Sequence, residues 1–496
     1  MQATIPMPPV DLTVIAPMLT VFCWATALLL IDLFFIAEDQ KRVTGYLAIL
    51  GFAVAALVAL PLWGTESSTF SGMVVLDSFA LILTWIFLLV GAISIAIALD
   101  YLPRQGIEQG EFYPLIMFAV GGMLLLAQGS NLIVLFLGVE LLSITLYILT
   151  GFAYPRLTSE EAAMKYLILG AFAAGFFVYG IALIYGQTGT VQLFSVEAGQ
   201  ASIAEYLSRQ TFVAADQMLL IAGSGLVLVA FGFKMALVPF HMWTPDVYEG
   251  SPTPVAAFMS VGTKGAALAA LLRILTLALS ELQAIWVPVL SALAVLTMLV
   301  GNIGALAQPN VKRMLAYSSV GHAGYILLGI LAANDRGAQG FLFYLLAYGL
   351  TNLGAFAVLI ALEQRGESAW SLDEFAGLWQ RQPYLSIAMA VFMLSLAGVP
   401  PTAGFIAKFY VFTAAWEAGL GGLALVGVLT SAIAVFFYLR VIIRMFMHEP
   451  VREIVPPLHR AVTIGIGISV LGTILFGLIP TPIVDLVQRS VIALGS

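Results

Sequence analysis

Apolar residues run along this chain in long unbroken stretches rather than in alternation. Charged residues and Pro/Gly punctuation divide these stretches into pieces long enough to cross a bilayer, whose hydrocarbon core of roughly 30 Å takes about 20 helical residues. The pattern predicts helices near 12–36, 43–62, 76–100, 112–128, 131–153 and 160–186. After a more polar stretch at 187–214, it predicts helices near 216–240, 252–279, 284–307, 313–333, 339–362, 384–417, 421–447 and 461–490. The expected fold is an all-α polytopic membrane protein of about 14 transmembrane helices. A porin-like barrel would need strands of about ten residues with period-two polarity, and that pattern is missing.

Composition agrees with this picture. The chain is 61% hydrophobic and 9% charged, and its mean hydropathy of +1.03 lies far above that of ordinary soluble domains. The net charge of −7 and the lack of a basic run argue against nucleic acid or a polybasic lipid attachment as partner. Cys23 is the only cysteine, so the chain holds neither an intrachain disulfide nor the cysteine cluster of an iron-sulfur centre. The start, MQATIPMPPVDL, has no basic region ahead of its first apolar run, so the first helix is expected to be retained.

Lys and Arg sort asymmetrically. Loops after odd-numbered helices hold Lys41, Arg42, Arg104, Arg156, Lys312, Arg313, Arg365, Arg381, Arg440, Arg444, Arg452 and Arg460. Loops after even-numbered helices, together with the tail, hold Arg209, Arg273, Arg336 and Arg489. Because cytoplasmic loops retain positive charge, both termini are expected on the non-cytoplasmic side. Plasma and thylakoid membranes both remain open as the location.

The remaining basic residues, Lys165, Lys234, Lys264 and Lys408, fall inside predicted helices, as does Glu140. Each charge at a helix centre costs about 2.5–3.5 kcal/mol on insertion scales, so five cost roughly 12–18 kcal/mol unless they face one another or internal water. Glu140 in NLIVLFLGVELLSITLYILTGF and Lys264 in PVAAFMSVGTKGAALAALLRIL are central and cannot snorkel easily. A buried Glu–Lys pair can trade protons, or it can serve as a static lock between helices. Lys165 lies one turn beyond Glu160 and Glu161, where it either joins the polar path or pairs locally.

Two helices look broken. Lys234 precedes Pro239 in FGFKMALVPFHMWTPDVYEGSPTP, and Lys408 follows Pro400 and Pro401 in SLAGVPPTAGFIAKFYVF. The second lies in a run of over thirty residues, about 50 Å if straight, too long to cross once unbent. Paired broken helices five segments apart point to repeats, helices 4–8 and 9–13, and an odd helix number per repeat inverts consecutive copies. The predicted divisions are 1–111 (helices 1–3), 112–280 (first repeat), 281–448 (second repeat) and 449–496 (helix 14). His322, near the centre of the tenth helix in KRMLAYSSVGHAGYILLGI, suits proton relay or a hydrogen-bonded structural place beside Tyr317, Ser318 and Ser319. His241 lies at the first break. Asp246 and Glu249 beside it suit either a cation or a solvated surface. Gly223-Ser-Gly225 lies in an apolar helix and lacks the third glycine of a dinucleotide loop.

Taken together, KMALVPFHMWTPDVYEGSPTPVAAFMS, NVKRMLAYSSVGHAGY and LAGVPPTAGFIAKFY resemble the antiporter-like subunits of complex I, which are similar to subunits of multisubunit sodium/proton antiporters. The resemblance covers nearly the whole chain. It implies proton translocation coupled to quinone reduction, with Glu140, Lys234, Lys264 and Lys408 on a central hydrophilic axis and His322 and Lys165 as further proton carriers. It implies no cofactor in this chain, with flavin, iron-sulfur clusters and quinone in partner subunits. The implied partners are other membrane-arm subunits, among them antiporter-like subunit M and small subunits such as K. The alternative is a subunit of a sodium/proton antiporter, without electron transfer. Of the family's three close branches, one usually carries glutamate where Lys408 stands and another ends in a long lateral helix, which leaves the third.

Overall fold

The structure, a computed structural model, describes residues 10–197, 199–209, 216–363, 370–450 and 460–491. Arg365, Arg452 and the first nine residues, used above in the charge and leader readings, lie outside the described residues. The chain forms α1 (Ala16–Phe35), α2 (Arg42–Ala59), a hairpin of β1 (Ser67–Thr69) and β2 (Val74–Leu76), α3 (Ser78–Gln105), α4 (Phe112–Gln128), α5 (Leu132–Thr150) and α6 (Leu157–Thr188). There follow a short α7 (Ile203–Ser208), α8 (Met218–Met235), α9 (Trp243–Gly250), α10 (Thr253–Arg273), α11 (Gln283–Leu306), α12 (Val311–Leu331) and α13 (Asp335–Leu362). The rest is a short α14 (Leu378–Arg381), α15 (Pro383–Ala397), α16 (Ala403–Glu417), α17 (Gly421–Met447), α18 (Arg460–Leu478) and α19 (Thr481–Val491).

Among the described residues, twelve helices are long and apolar enough to cross a membrane, and Phe112–Gln128 and Pro383–Ala397 are shorter apolar helices. These two occupy the places of the fourth predicted helix and the first half of the twelfth, so the count of about fourteen stands. The run 461–490, expected as one helix, divides at Pro480 into α18 and α19, because proline cannot continue the hydrogen-bond ladder. The apolar residues Ile483, Leu486 and Val487 of α19 line a cleft against α2, α3 and α13.

Burial sorts the helices into a centre and a rim. Every residue of α10 is buried, and α12 and α13 are buried nearly throughout. Helices α1, α2, α6, α11, α17 and α18 instead present large apolar side chains outward, among them Phe172, Phe436 and Leu471, as lipid-facing surfaces do. Small residues let neighbouring backbones approach closely, as membrane helix pairs require. A Cβ on Gly301 would meet the Gly321 backbone N at 2.4 Å, and one on Gly223 would meet the Gly180 carbonyl oxygen at 2.7 Å. Gly223 therefore packs α8 on α6.

Three residues assigned to loops by charge sorting are buried instead. Arg273 is the last residue of α10, where its Nη2 lies 2.7 Å from both carboxylate oxygens of Asp77, which also caps α3. Lys41 pairs with buried Asp32 of α1 at 3.0 Å. Lys312, in the first turn of α12, donates to the carbonyl oxygens of Glu249 and Ser251 at 3.0 and 2.7 Å. Sequence sorting placed these in loops because it does not see the partners that other segments contribute.

Candidate functional site

The first broken helix is α8 followed by α9. The interruption begins at Ala236, three residues before Pro239, with Ala236 left-handed at φ 60°. Lys234 therefore sits in the last turn of α8, where the dipole end favours a cation. Backbone groups released by the break find partners: Trp243 Nε1 donates to the Phe233 carbonyl at 3.0 Å, and the Val238 N–H donates to Thr297 Oγ1 at 3.0 Å. Such satisfaction is what non-helical backbone needs at membrane depth.

Lys234 is buried among aromatic faces. Its Nζ lies 5.0 Å from the Tyr166 ring centre, 5.5 Å from that of Tyr147 and 3.4 Å from Tyr166 Oη. Glu140 is half-buried on α5, more than 4.0 Å from the Lys234 ammonium. It lines a cleft of about 440 Å³ between α5 and α6 with Ile144, Tyr147, Ile148 and Leu167. Glu140 and Lys234 are thus neighbours without a formed ion pair, and Tyr147 lies near both, lining the cleft with Glu140 and facing Lys234 with its ring.

Lys264 lies mid-way along α10 and donates to Ser319 Oγ at 2.6 Å. Its Nζ is 5.7 Å from the Tyr248 ring. One stripe of α12 carries Ser318, Ser319, His322 and Tyr325, the three- and four-residue spacing of a single helix face. His322 Nδ1 is 2.8 Å from Tyr344 Oη and Nε2 is 3.1 Å from Tyr438 Oη, so both ring nitrogens have partners. Tyr438 Oη also hydrogen-bonds Ser318. The ring stacks on Tyr348 at 4.8 Å. A tyrosine hydroxyl both donates and accepts, so it suits either imidazole tautomer.

The second broken helix is α15 followed by α16. Gly398, at φ 84°, ends α15, and its N–H bonds back to the Leu394 and Ser395 carbonyls. Lys408, in α16, reaches back across the break to donate to the Leu396 and Ala397 carbonyls at 2.8 and 3.0 Å and to Ser431 Oγ at 2.7 Å. All three ammonium protons are used. Its Nζ lies 5.0 Å from the Tyr325 ring. One side of the site opens into a cleft of about 550 Å³ lined by Phe405, Phe409, Trp416, Leu425 and Val428.

Lys264, Ser319, His322, Tyr438, Tyr325 and Lys408 thus form one buried line through α10, α12, α17 and α16. Lys234 joins its end through aromatic rings, with Tyr166 stacked on Trp243 at 4.6 Å and Trp243 edge-to-face with Tyr248 at 6.0 Å. Lys165 lies elsewhere. It is partly exposed and pairs with Glu161 at 2.7 Å and Asp246 at 3.1 Å. Asp246 also pairs with Arg313 at 2.8 Å, and Arg313 with Glu249 at 2.7 Å, so both carboxylates beside the first break are engaged by protein cations. His241 is half-buried, with no hydrogen bond to its Nδ1.

Tyr438, Tyr344, Tyr348, Tyr325 and Ser431 were not singled out from sequence. Tyr325 shares the seven-residue face of α12 with Ser318, and Tyr344, Tyr348 and Asn352 recur every four residues on α13. That spacing was readable. The pairing of α17 with this line was not, since it joins residues more than a hundred positions apart.

Residues 129–434 match the family model described as NADH:quinone oxidoreductase/Mrp antiporter, TM. The chain belongs to this family. It is 66% identical over 98% of its length to NADH-quinone oxidoreductase subunit N of Chloroflexus aggregans, covering 99% of that protein. It is 57% identical to subunit N 2 of Roseiflexus castenholzii, covering 98% of this chain and 97% of that one. Among solved structures, a chain of respiratory complex I from Thermus thermophilus matches with TM-score 0.79 at 34% identity, covering 95% of this chain and 98% of that one. A chain of the Mrp complex from Dietzia sp. shares the fold, with TM-score 0.83 at 22% identity over 97% of both chains.

Proposed function

We propose that this chain is the antiporter-like subunit N of a complex I type quinone oxidoreductase and carries protons along its buried line. The observation that carries this reading is the row of buried polar side chains in which Lys264 bonds Ser319, His322 bonds Tyr438 and Tyr344, and Lys408 lies against the Tyr325 ring, centred on the buried helices α10 and α12. Quinone reduction in a neighbouring arm shifts charge along the membrane arm. Glu140 and Lys234 then close or open, Lys264 holds a proton at the centre, His322 relays it, and Lys408 passes it on. Lys165 acts at the charged face rather than on the line. Flavin, iron-sulfur clusters and quinone belong to other subunits, and the adjoining membrane partners are subunit M and small subunits such as K. The protein lies in the inner (plasma) membrane with both termini non-cytoplasmic, in keeping with the distribution of Lys and Arg.

The likeness to the Mrp chain supports the shared fold. High identity to subunit N over nearly the whole length favours the quinone oxidoreductase over a sodium/proton antiporter. The test is to solubilise native membranes gently, isolate the complex containing this chain, and assay quinone reduction driven by NADH or ferredoxin. A large assembly with flavin and iron-sulfur subunits and this activity is expected. A small assembly exchanging sodium for protons without redox centres would overturn the reading.

A further inference from the structure

Glu363, which follows the last residue of α13, is 2% exposed and takes no part in the line described above. Its Oε1 accepts from Thr253 Oγ1 at 2.7 Å and from Trp370 Nε1 at 2.8 Å. Arg104 Nη1 donates to its backbone carbonyl at 3.0 Å. The charged and titratable groups around it are Arg104 and Tyr101 of α3 and Lys312 of α12, whose Nζ lies 4.1 Å from the Trp370 ring. Trp370 also lines a polar cleft of about 230 Å³ on the basic face, together with Lys165, Asp246, Glu249 and Arg313. Glu363 therefore lies one indole ring behind an opening to that face.

From Glu363 inward, two packed helices present matched polar stripes. On α10 they are Thr253, Ser260 and Lys264, seven and four residues apart and hence on one face. On α13 they are Asn352 and Tyr348, four residues apart, with Glu363 capping the helix end eleven residues beyond Asn352. Thr253 meets Glu363, and the Asn352 side-chain amide donates to Ser260 Oγ. The Tyr348 hydroxyl is buried beside this stripe without a hydrogen-bond partner of its own, which leaves it free to bond a water or a reoriented serine, and Ser319 bonds Lys264 at 2.6 Å. The longest interval, from Thr253 to Ser260, is about 10 Å along the helix, a span that takes more than one bridging water. Buried Asn352 Oδ1 has no hydrogen-bond partner and offers a water an acceptor there.

We propose that Glu363 is the proton-uptake residue of this subunit, delivering protons from the basic face along the Thr253, Asn352–Ser260, Tyr348 and Ser319 ladder to Lys264. The Glu363 carboxylic acid gives up its proton, the ladder passes it inward, and the neutral Lys264 amine becomes an ammonium. The resulting carboxylate is reprotonated from the cleft at Trp370. Burial pushes the Glu363 carboxyl above its ordinary range, against the pull of Lys312 and of the Thr253 and Trp370 hydrogen bonds, so the acid form persists to higher pH than in an exposed glutamate.

This inference rests on the proton-carrying role proposed above, and one experiment separates the two. The intact complex carrying Glu363→Gln, Glu363→Asp or Lys264→Ala is reconstituted in vesicles, and protons moved per electron are measured across a pH series. Glutamine still accepts from Thr253 and Trp370 but cannot release a proton. Glu363→Gln is expected to lower protons per electron to the Lys264→Ala value at every pH, and Glu363→Asp to restore most of it. Wild-type stoichiometry and pH profile in Glu363→Gln, with a loss in Lys264→Ala, would overturn the uptake role and leave the function standing. No loss in either would overturn both. Should Glu363→Gln fail to assemble, Ser260→Ala, which removes one oxygen from the middle of the ladder, decides by the same reading.

Discussion

The two broken helices solve the same problem in opposite ways. Each interrupts a membrane helix beside a buried lysine, and each must satisfy the backbone groups that the interruption releases. At the first break, tertiary neighbours do this: Trp243 takes the Phe233 carbonyl and Thr297 the Val238 N–H. Lys234 is left free of backbone duties, facing aromatic rings, with Glu140 a neighbour. At the second, Lys408 itself holds the Leu396 and Ala397 carbonyls. The first lysine is built to change partners. The second is built into the break it serves, so its charge and the local backbone depend on each other.

Substitutions can break this contrast, beginning with the lysines. Lys408→Ala leaves the buried Leu396 carbonyl without a donor, at about 1–3 kcal/mol, and leaves the Ala397 carbonyl with only Ser431 Oγ at 3.3 Å. It is expected to cut both the yield of assembled complex on native gels and the protons moved per electron in that complex. Lys234→Ala orphans no backbone group and is expected to lower protons per electron with nearly normal assembly. Equal assembly losses in the two variants would refute the distinction.

The residues that turn the chain give a smaller, oppositely signed pair. Gly398→Ala places a side chain at φ 84° with its Cβ 2.8 Å from Lys408 Cδ, and is expected to shorten the thermal half-life of the complex. Ala236→Gly relieves a left-handed alanine and is expected to lengthen it, by roughly 1 kcal/mol. The hydroxyls of the two halves of the line give the next pair. Tyr438→Phe removes contacts to both Ser318 and His322, about 1 kcal/mol for each, and is expected to slow proton transfer several-fold. Tyr166→Phe removes one long 3.4 Å contact and is expected to change the rate little. The smallest effect is expected for Lys165→Gln, whose partly exposed ion pairs contribute about 0–1 kcal/mol; a loss of protons per electron as large as that of Lys264→Ala would instead place it on the transfer path.

A second comparison separates the halves of the line by chemistry. Between Lys234 and Lys264 the intervening side chains are mainly aromatic faces. Between Lys264 and Lys408 they are hydroxyls and an imidazole, joined in part by hydrogen bonds, with the Tyr325 ring beside Lys408. Under the proposed function, the first half suits electrostatic switching of one cation by another and the second suits proton hand-over.

The one-dimensional pattern by itself determined the membrane class, the approximate helix count, the two interruptions and the short set of charges too costly to face lipid. It could do so because hydrophobic run length, proline chemistry and the penalty for a buried charge are local properties of the chain. Tertiary structure alone decided which charges share a path. It set Lys165 in a surface cluster with Asp246 and Arg313, paired Lys41 with Asp32 and Arg273 with Asp77, and brought Tyr438 to His322. It also placed Glu363, which sequence left in a loop, behind Trp370 and against Thr253. These contacts join residues from 7 to 196 positions apart. Their partners are chosen by how helices pack, and helix periodicity fixes only which face each residue shares, not which neighbour that face meets.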